Sequence, residues 1–209
     1  VVIATGYLAG AVPFSNIVSK AVRGVDLRRV GTGTVSGSGL FYEAGLKPLL
    51  IGGILDVTKG SIGPILAGRK RPRLAAVAGG AAVVGHNWSI FLQGAGGRGI
   101  SPSMGAMAVN GWHGSLILRA GVALGRSVRL TSVGALCSYL VLVPVMRNQG
   151  GRNKAFAAVA VVIPMLVKRI AGNEPAPPES RIRTWTTRLL FDQDTVPSLS
   201  WRQRKPGVD

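Results

Sequence analysis

The sequence predicts an all-α, polytopic integral membrane protein, a bundle of six or seven transmembrane helices. Three observations carry this reading. Apolar residues make up 47% of the 209-residue chain, yet its formal net charge is +17, a pairing that soluble domains rarely show. The apolar residues come in long runs, suited to the thickness of a bilayer core. The basic residues cluster in short stretches between those runs, as the loops of a multi-span protein do. A nucleic-acid binder would also be basic, but its apolar stretches would be short and amphipathic, so no nucleic-acid partner is expected.

The expected elements follow in order. Val1 to Val22 reads as one retained span rather than a cleaved signal, because no small-residue cleavage pattern follows it. Gly6, Gly10 and Ala11 give it small faces for close helix packing. Leu46 to Ala67 is the second span and Leu74 to Leu92 the third, with Trp88 and Phe91 as interface anchors. Ser101 to Leu124 carries Asn110, Gly111, His113 and Arg119, and reads as one interrupted span or two shorter ones. Leu130 to Met146 and Ala155 to Val167 are further spans around a basic loop at Arg147 to Lys154. The bundle therefore covers 1–171, and 172–209 is a basic, Pro-containing tail. Within the tail, Arg181 to Phe191 could form a short amphipathic segment on the bilayer surface, with the rest extended or disordered.

Cys137 is the only cysteine, and His86 and His113 are the only histidines. No disulfide framework, metal centre or cofactor is expected from that inventory. The chemistry-bearing residues lie instead in three polar stretches. The first runs from Asp26, Arg28 and Arg29 into Gly31-Thr32-Gly33-Thr34-Val35-Ser36-Gly37-Ser38-Gly39. It is either a Gly/Ser linker or an anion nest of hydroxyl and backbone donors beside two arginines. The second is Asp56 and Lys59, opposite charges three apart on one face of a span; such groups pair, face the bundle interior, or mark a site. The third, Gly94-Ala95-Gly96-Gly97-Arg98-Gly99, is poor helix and good loop, and Arg98 supplies a fixed charge with forked donors. Two spans separate the first and third stretches, so both lie on one side of the membrane. The cluster Arg69 to Arg73 then falls on the other side, against the usual placement of positive loops.

These blocks resemble the bacterial acyl-phosphate-dependent glycerol-3-phosphate acyltransferases. The likeness covers roughly Gly6 to Gly105. Gly6-Tyr7-Leu8-Ala9-Gly10 with Pro13-Phe14 looks like the family's opening. Asp26 to Gly33 is similar to its first motif, a basic pair leading into Gly-Ser-Gly-Asn. Leu55-Asp56-Val57-Thr58-Lys59-Gly60 matches Leu-Asp-x-x-Lys-Gly, and Gly85-His86 through Gly96-Gly97-Arg98-Gly99 resembles Gly-His to Gly-Gly-Lys-Gly. The chain departs from the pattern at Thr34, at Ser36 to Gly39, and in the third motif. There Val162 and Met165 stand where a His and an Asn are sought, and only Lys168 or Arg169 and Gly172-Asn173-Glu174 are recognisable.

The resemblance implies a multi-pass enzyme of the bacterial inner membrane. It would move a fatty acyl group from acyl phosphate to the 1-hydroxyl of glycerol 3-phosphate, without metal or thioester. Its partners would be those two substrates and membrane lipids. Carried over by position, Thr32, Arg98 and His86 are the catalytic candidates. Arg28, Arg29, Gly33, Ser36, Ser38, Lys59, Gly96, Gly97 and Gly99 are the candidate phosphate-binding positions, with Asp56 and Glu174 in support. The departures leave an alternative, a catalytically impaired relative serving as an accessory subunit with protein partners in a larger membrane complex.

Overall fold

The computed structural model describes residues 1–192, and all its described elements are helices. They are α1 (Val2–Ala11), α2 (Phe14–Arg23), α3 (Gly37–Ala44), α4 (Leu46–Ala67), α5 (Pro72–Asn87), α6 (Ile100–Asn110), α7 (Trp112–Ser127), α8 (Thr131–Ala171) and α9 (Arg181–Phe191). The first apolar run, expected as one span, is two helices end to end. Pro13 lacks an N–H and pushes Val12 into an extended conformation, with φ −61° and ψ 119°, so the helical ladder stops and restarts. The stretch at 101–124 is two helices, α6 and α7. The chain turns at Gly111, and Gly114 comes back against Met107, so the stretch takes the form of two shorter segments. In α8 the helix breaks at Gly150 and Gly151, inside the basic loop read from the sequence.

Small residues face inward. A β-carbon on Gly10 would strike the backbone of Ala82, on Gly60 that of Pro102, and on Gly105 that of Val57. Such contacts fix α1 against α5, and α4 against α6, at backbone-to-backbone distance. The larger buried core, including Val83, Met107, Leu118, Leu142, Met146, Val161 and Met165, fills the centre of the bundle. Large apolar side chains point outward instead: Leu50, Ile54, Ile65, Leu124, Leu140 and Ile163 are all exposed. This arrangement suits lipid rather than water as the outer solvent. Val2–Arg23, Leu46–Ala67 and Pro72–Leu92 are each long and apolar enough to cross a membrane.

A second, smaller apolar cluster of Leu27, Val35, Leu40 and Leu92 lies beneath the two polar loops at 31–36 and 94–99. Both loops are thus pinned to one end of the bundle. The amphipathic segment of the tail is α9, and it docks through its polar face. Thr184, Thr187 and Arg188 are buried, while Ile182, Trp185 and Leu190 remain exposed. The rest of the tail from 193 onward lies outside the described residues.

The glycine contacts make a direct prediction. Gly10→Leu should destabilise the bundle by roughly 1–3 kcal/mol, because the helix pair cannot part without losing its neighbours. Ile54→Leu on the outer surface should change little. Thermal unfolding of both variants in detergent, read by helical circular dichroism, checks this.

Candidate active site

The site is built around helix breaks whose carbonyls need donors. Pro13 interrupts the first helix and turns the carbonyl of Val12 out of the helical ladder, where it accepts from the Phe14 N–H at 3.1 Å and from the Lys59 ammonium at 2.6 Å. Lys59 also pairs with Asp56 at 2.6 Å, the two lying one turn apart on α4 as their spacing predicts. Asp56 accepts a further bond from the Ser15 hydroxyl at 2.5 Å. The pair is almost wholly buried, so each charge must be neutralised on the spot. His86, at the end of α5, completes the knot with Nδ1 3.9 Å from Asp56. Gly97 covers its other side, since a β-carbon there would collide with His86 Nε2.

Similar capping closes the end of α5. Ser89 donates to the carbonyl of Ala11 at 2.6 Å, Tyr7 to that of Trp88 at 3.0 Å, and Asn87 to that of Pro164 at 2.8 Å. Above this floor the two polar loops meet. The Val35 N–H donates to the carbonyl of Gly96 at 3.2 Å. The Asn173 side chain then clips them. Its amide nitrogen donates to Gly33 O at 2.9 Å and Gly96 O at 3.2 Å, while its oxygen accepts from Gly96 N at 3.2 Å. The expectation that the loops around Thr32 and Arg98 lie on one side is met, through a residue given no role from the sequence.

Individual site candidates divide into several groups. Thr32 is exposed at the tip of its loop. Arg98 is buried and donates from Nη1 to the carbonyl of Lys168 at 2.8 Å, while its Nε pairs with Asp192 at 2.5 Å. Gly33, Gly96 and Gly97 have their N–H groups bonded to Val30, Asn173 and His86. These three amides therefore shape the loops instead of reaching for an anion. Gly99 has a positive φ of 79°, the turn that starts α6.

Ser36 caps α3 by accepting from Gly39 N, and Ser38 is exposed on that helix. Arg29 is exposed, whereas Arg28 folds back on Asp26, 2.7 Å from its carboxylate. Lys20 joins the same carboxylate at 3.1 Å. The Arg28 hydrogen bonds hold the Asp26 carboxyl far below the usual carboxylate range, and the same bond raises Arg28. The Glu174 side chain is exposed, and only its backbone carbonyl is used, by Arg188 at 3.0 Å. His113 stacks on Trp112 next to the α6–α7 turn, far from these loops.

Three residues without an assigned role join the site. Asn173 is the clip. Thr34 sits between the two loop contacts, and its buried hydroxyl has no partner among the described residues. Lys168 is buried, with a long 3.5 Å bond to Gly94 O and its ammonium 5.1 Å from the Trp88 ring. No carboxylate lies within 4 Å of it among the described residues. An unpaired cation in such a place calls for an anion. The signal for it in the sequence was weak, because the third motif was recognisable only in fragments.

Helices that bury glycine and expose leucine, with two glycine-rich loops clipped together over buried cations at one end, define a class: integral membrane helix bundles with a cationic, loop-covered end. The model of the glycerol-3-phosphate acyltransferase family matches residues 1–173, and the chain belongs to that family. A glycerol-3-phosphate acyltransferase of Synechococcus sp. (strain CC9902) is 30% identical over 188 residues, covering 83% of this chain and 92% of the relative. One of Shouchella clausii (strain KSM-K16) is 34% identical over 146 residues, covering 67% and 70%. Two crystal structures share the fold at 21% identity. They are of PlsY (YgiH), described as an integral membrane glycerol 3-phosphate acyltransferase, in its glycerol 3-phosphate and lysophosphatidic acid forms. Their TM-scores are 0.75 and 0.73; the first covers 90% of this chain and 92% of its own.

The Asp26 cluster predicts a pH dependence. A depressed folded-state pKa stabilises the fold above the unfolded value near 3.8, and that contribution is lost as the pH falls below it. Asp26→Asn should therefore lower the thermal midpoint by roughly a few degrees at pH 7. The gap to the parent protein should close progressively below pH 4, as differential scanning fluorimetry across pH would register.

Proposed function

We propose that the protein is a multi-pass acyltransferase of the bacterial inner membrane. It moves a fatty acyl group from acyl phosphate to the 1-hydroxyl of glycerol 3-phosphate, giving lysophosphatidic acid and inorganic phosphate. Family membership supports the reaction, and the observation that carries the site is the Asn173 clip, which holds the Gly33 and Gly96 loops side by side. Both substrates bear phosphate, so the site needs fixed cations and hydroxyl donors under a surface that the acyl tail can reach from lipid.

The residues divide the work by placement. Arg98 and Lys168 supply buried positive charge next to the loops, and Thr32 and Thr34 supply hydroxyls. Arg29, exposed beside the first loop, meets the incoming anions. The Asp56, Lys59 and His86 knot is the floor, neutralised within the protein and sealed by Gly97, and it acts by holding the loops at the right height. In the reaction the 1-hydroxyl oxygen bonds to the acyl carbon and the carbon–oxygen bond to phosphate breaks. The hydroxyl proton leaves with the phosphate product. Acyl phosphate already carries a good leaving group, so positioning and charge stabilisation supply much of the rate.

Purified protein in lipid nanodiscs, given both substrates, should release phosphate only when both are present. Arg98→Ala should lower kcat/KM by roughly 10²-fold, the order seen for loss of a charged stabilising group. Asn173→Ala, which removes no charge, should lower it about tenfold while helical content is kept. Absence of turnover from folded parent protein would defeat the proposal and point to the accessory-subunit alternative, which the comparisons do not favour.

A further inference from the structure

The family match ends at residue 173, yet the chain beyond it reaches back to the site. α9 is locked onto the bundle by two buried arginines. Arg169 donates to the carbonyls of Ser132, Arg188 and Leu190, at 2.8, 3.2 and 3.2 Å. Arg188 donates to those of Ala171 and Glu174, at 2.6 and 3.0 Å. Together they reach Ala171 at the C-terminal end of α8 and Arg188 and Leu190 at that of α9, where a helix runs out of its own donors, and tie them to Ser132 at the start of α8 and Glu174 beyond its end. The next residue after α9, Asp192, takes a left-handed conformation at φ 58°, which aspartate tolerates better than most residues. Its N–H closes the helix on Arg188 O at 2.9 Å, and its carboxylate lands on Arg98 Nε at 2.5 Å.

We propose that Asp192 is a positioning residue for the reaction, fixing the Arg98 guanidinium so that its remaining edge receives a substrate phosphate. This rests on the acyltransferase reading above. The side-chain geometry supports it. Nε lies against the Asp192 carboxylate as an ion pair without hydrogen-bond alignment and Nη1 donates to Lys168 O, while Nη2 has no protein partner among the described residues. One nitrogen is thus held by a hydrogen bond to α8 and a second by the charge of the residue closing α9, and the third is left for an oxyanion. Arg98 is 8% exposed and Asp192 26%, so the pair lies at the mouth of the site, where a held side chain loses less freedom on binding than a loose one. A carboxylate on Nε also offsets the repulsion between Arg98 and the neighbouring Lys168 ammonium, allowing two cations to share one place.

The test uses full-length protein in nanodiscs. Turnover of the parent protein on acyl phosphate and glycerol 3-phosphate is established first, and its absence counts against the acyltransferase reading alone. Asp192→Asn should then raise the KM of a substrate, and the inhibition constant of added inorganic phosphate, by roughly threefold to tenfold. Asp192→Glu should restore most of the loss. Combined with Arg98→Ala, Asp192→Asn should cost almost nothing more, because two residues acting through one contact are not additive. If Asp192→Asn folds poorly, Asp192→Glu and the phosphate inhibition constant decide. Losses that multiply in the double variant, unchanged KM and inhibition constants, or a gain in turnover would each overturn the proposal. The last would mean that the carboxylate competes with phosphate.

Discussion

Backbone carbonyls cannot be left bare inside a bilayer, and this chain breaks its helices several times within the bundle. The Lys59 ammonium on the carbonyl of Val12 is the contact on which the rest turns. It lets Pro13 end α1 beneath the site, and it brings with it Asp56, Ser15 and the edge of His86. Without that donor Val12 O keeps the Phe14 N–H, but the buried Asp56 carboxylate would lose its cation, at a cost of several kcal/mol. Side chains bond to backbone carbonyls in the same way elsewhere, both at helix ends and loops and, at Pro164, within α8. Ser89 covers Ala11 O, Asn87 covers Pro164 O, Arg98 covers Lys168 O, and Asn173 covers Gly33 O and Gly96 O. Each bond joins residues far apart in sequence, so these bonds hold the tertiary arrangement.

This explains how a site can sit on irregular backbone in such a protein. The loops at 31–36 and 94–99 are rich in glycine and have little of their own to stabilise them. Their shape comes from below, through Leu27, Val35, Leu40 and Leu92, and from the side, through Asn173. Glycines at 96 and 97 are required less for anion binding than for closeness. A β-carbon at either would overlap the end of α5. The cations are then set into a frame already satisfied. Within that frame, Lys168 has no carboxylate within 4 Å and the Thr34 hydroxyl no hydrogen-bond partner among the described residues.

Much of this could be read in the sequence, and the reasons differ by residue. The spans were legible because a bilayer demands long apolar runs. Asp56 and Lys59 were legible because charges in a span stand out and their spacing sets them on one face. The family was legible from motif blocks in order. Harder were the contacts that depend on where distant segments meet. Arg28 read as a phosphate ligand, yet Asp26 two residues earlier occupies it. Ser36 read as part of an anion nest, yet it caps a short helix whose pattern was hidden among glycines. Asn173 lay in a recognisable fragment of the third motif but carried no sign of its role, and Asp192 carried no signal at all, because their partners are distant in the chain.

The direct measurement is a crystal or cryo-EM structure of the protein with glycerol 3-phosphate bound. The account predicts the phosphorus between the 31–34 and 96–98 loops, within hydrogen-bond reach of Arg98 or Lys168, with the Asn173 clip intact. At the opposite end of the bundle lies a basic hollow of about 450 Å³, lined by Arg71, Pro72, Arg73, Leu74 and Asn153. Phosphate seated there, or loops parted around an unclipped Asn173, would contradict the account.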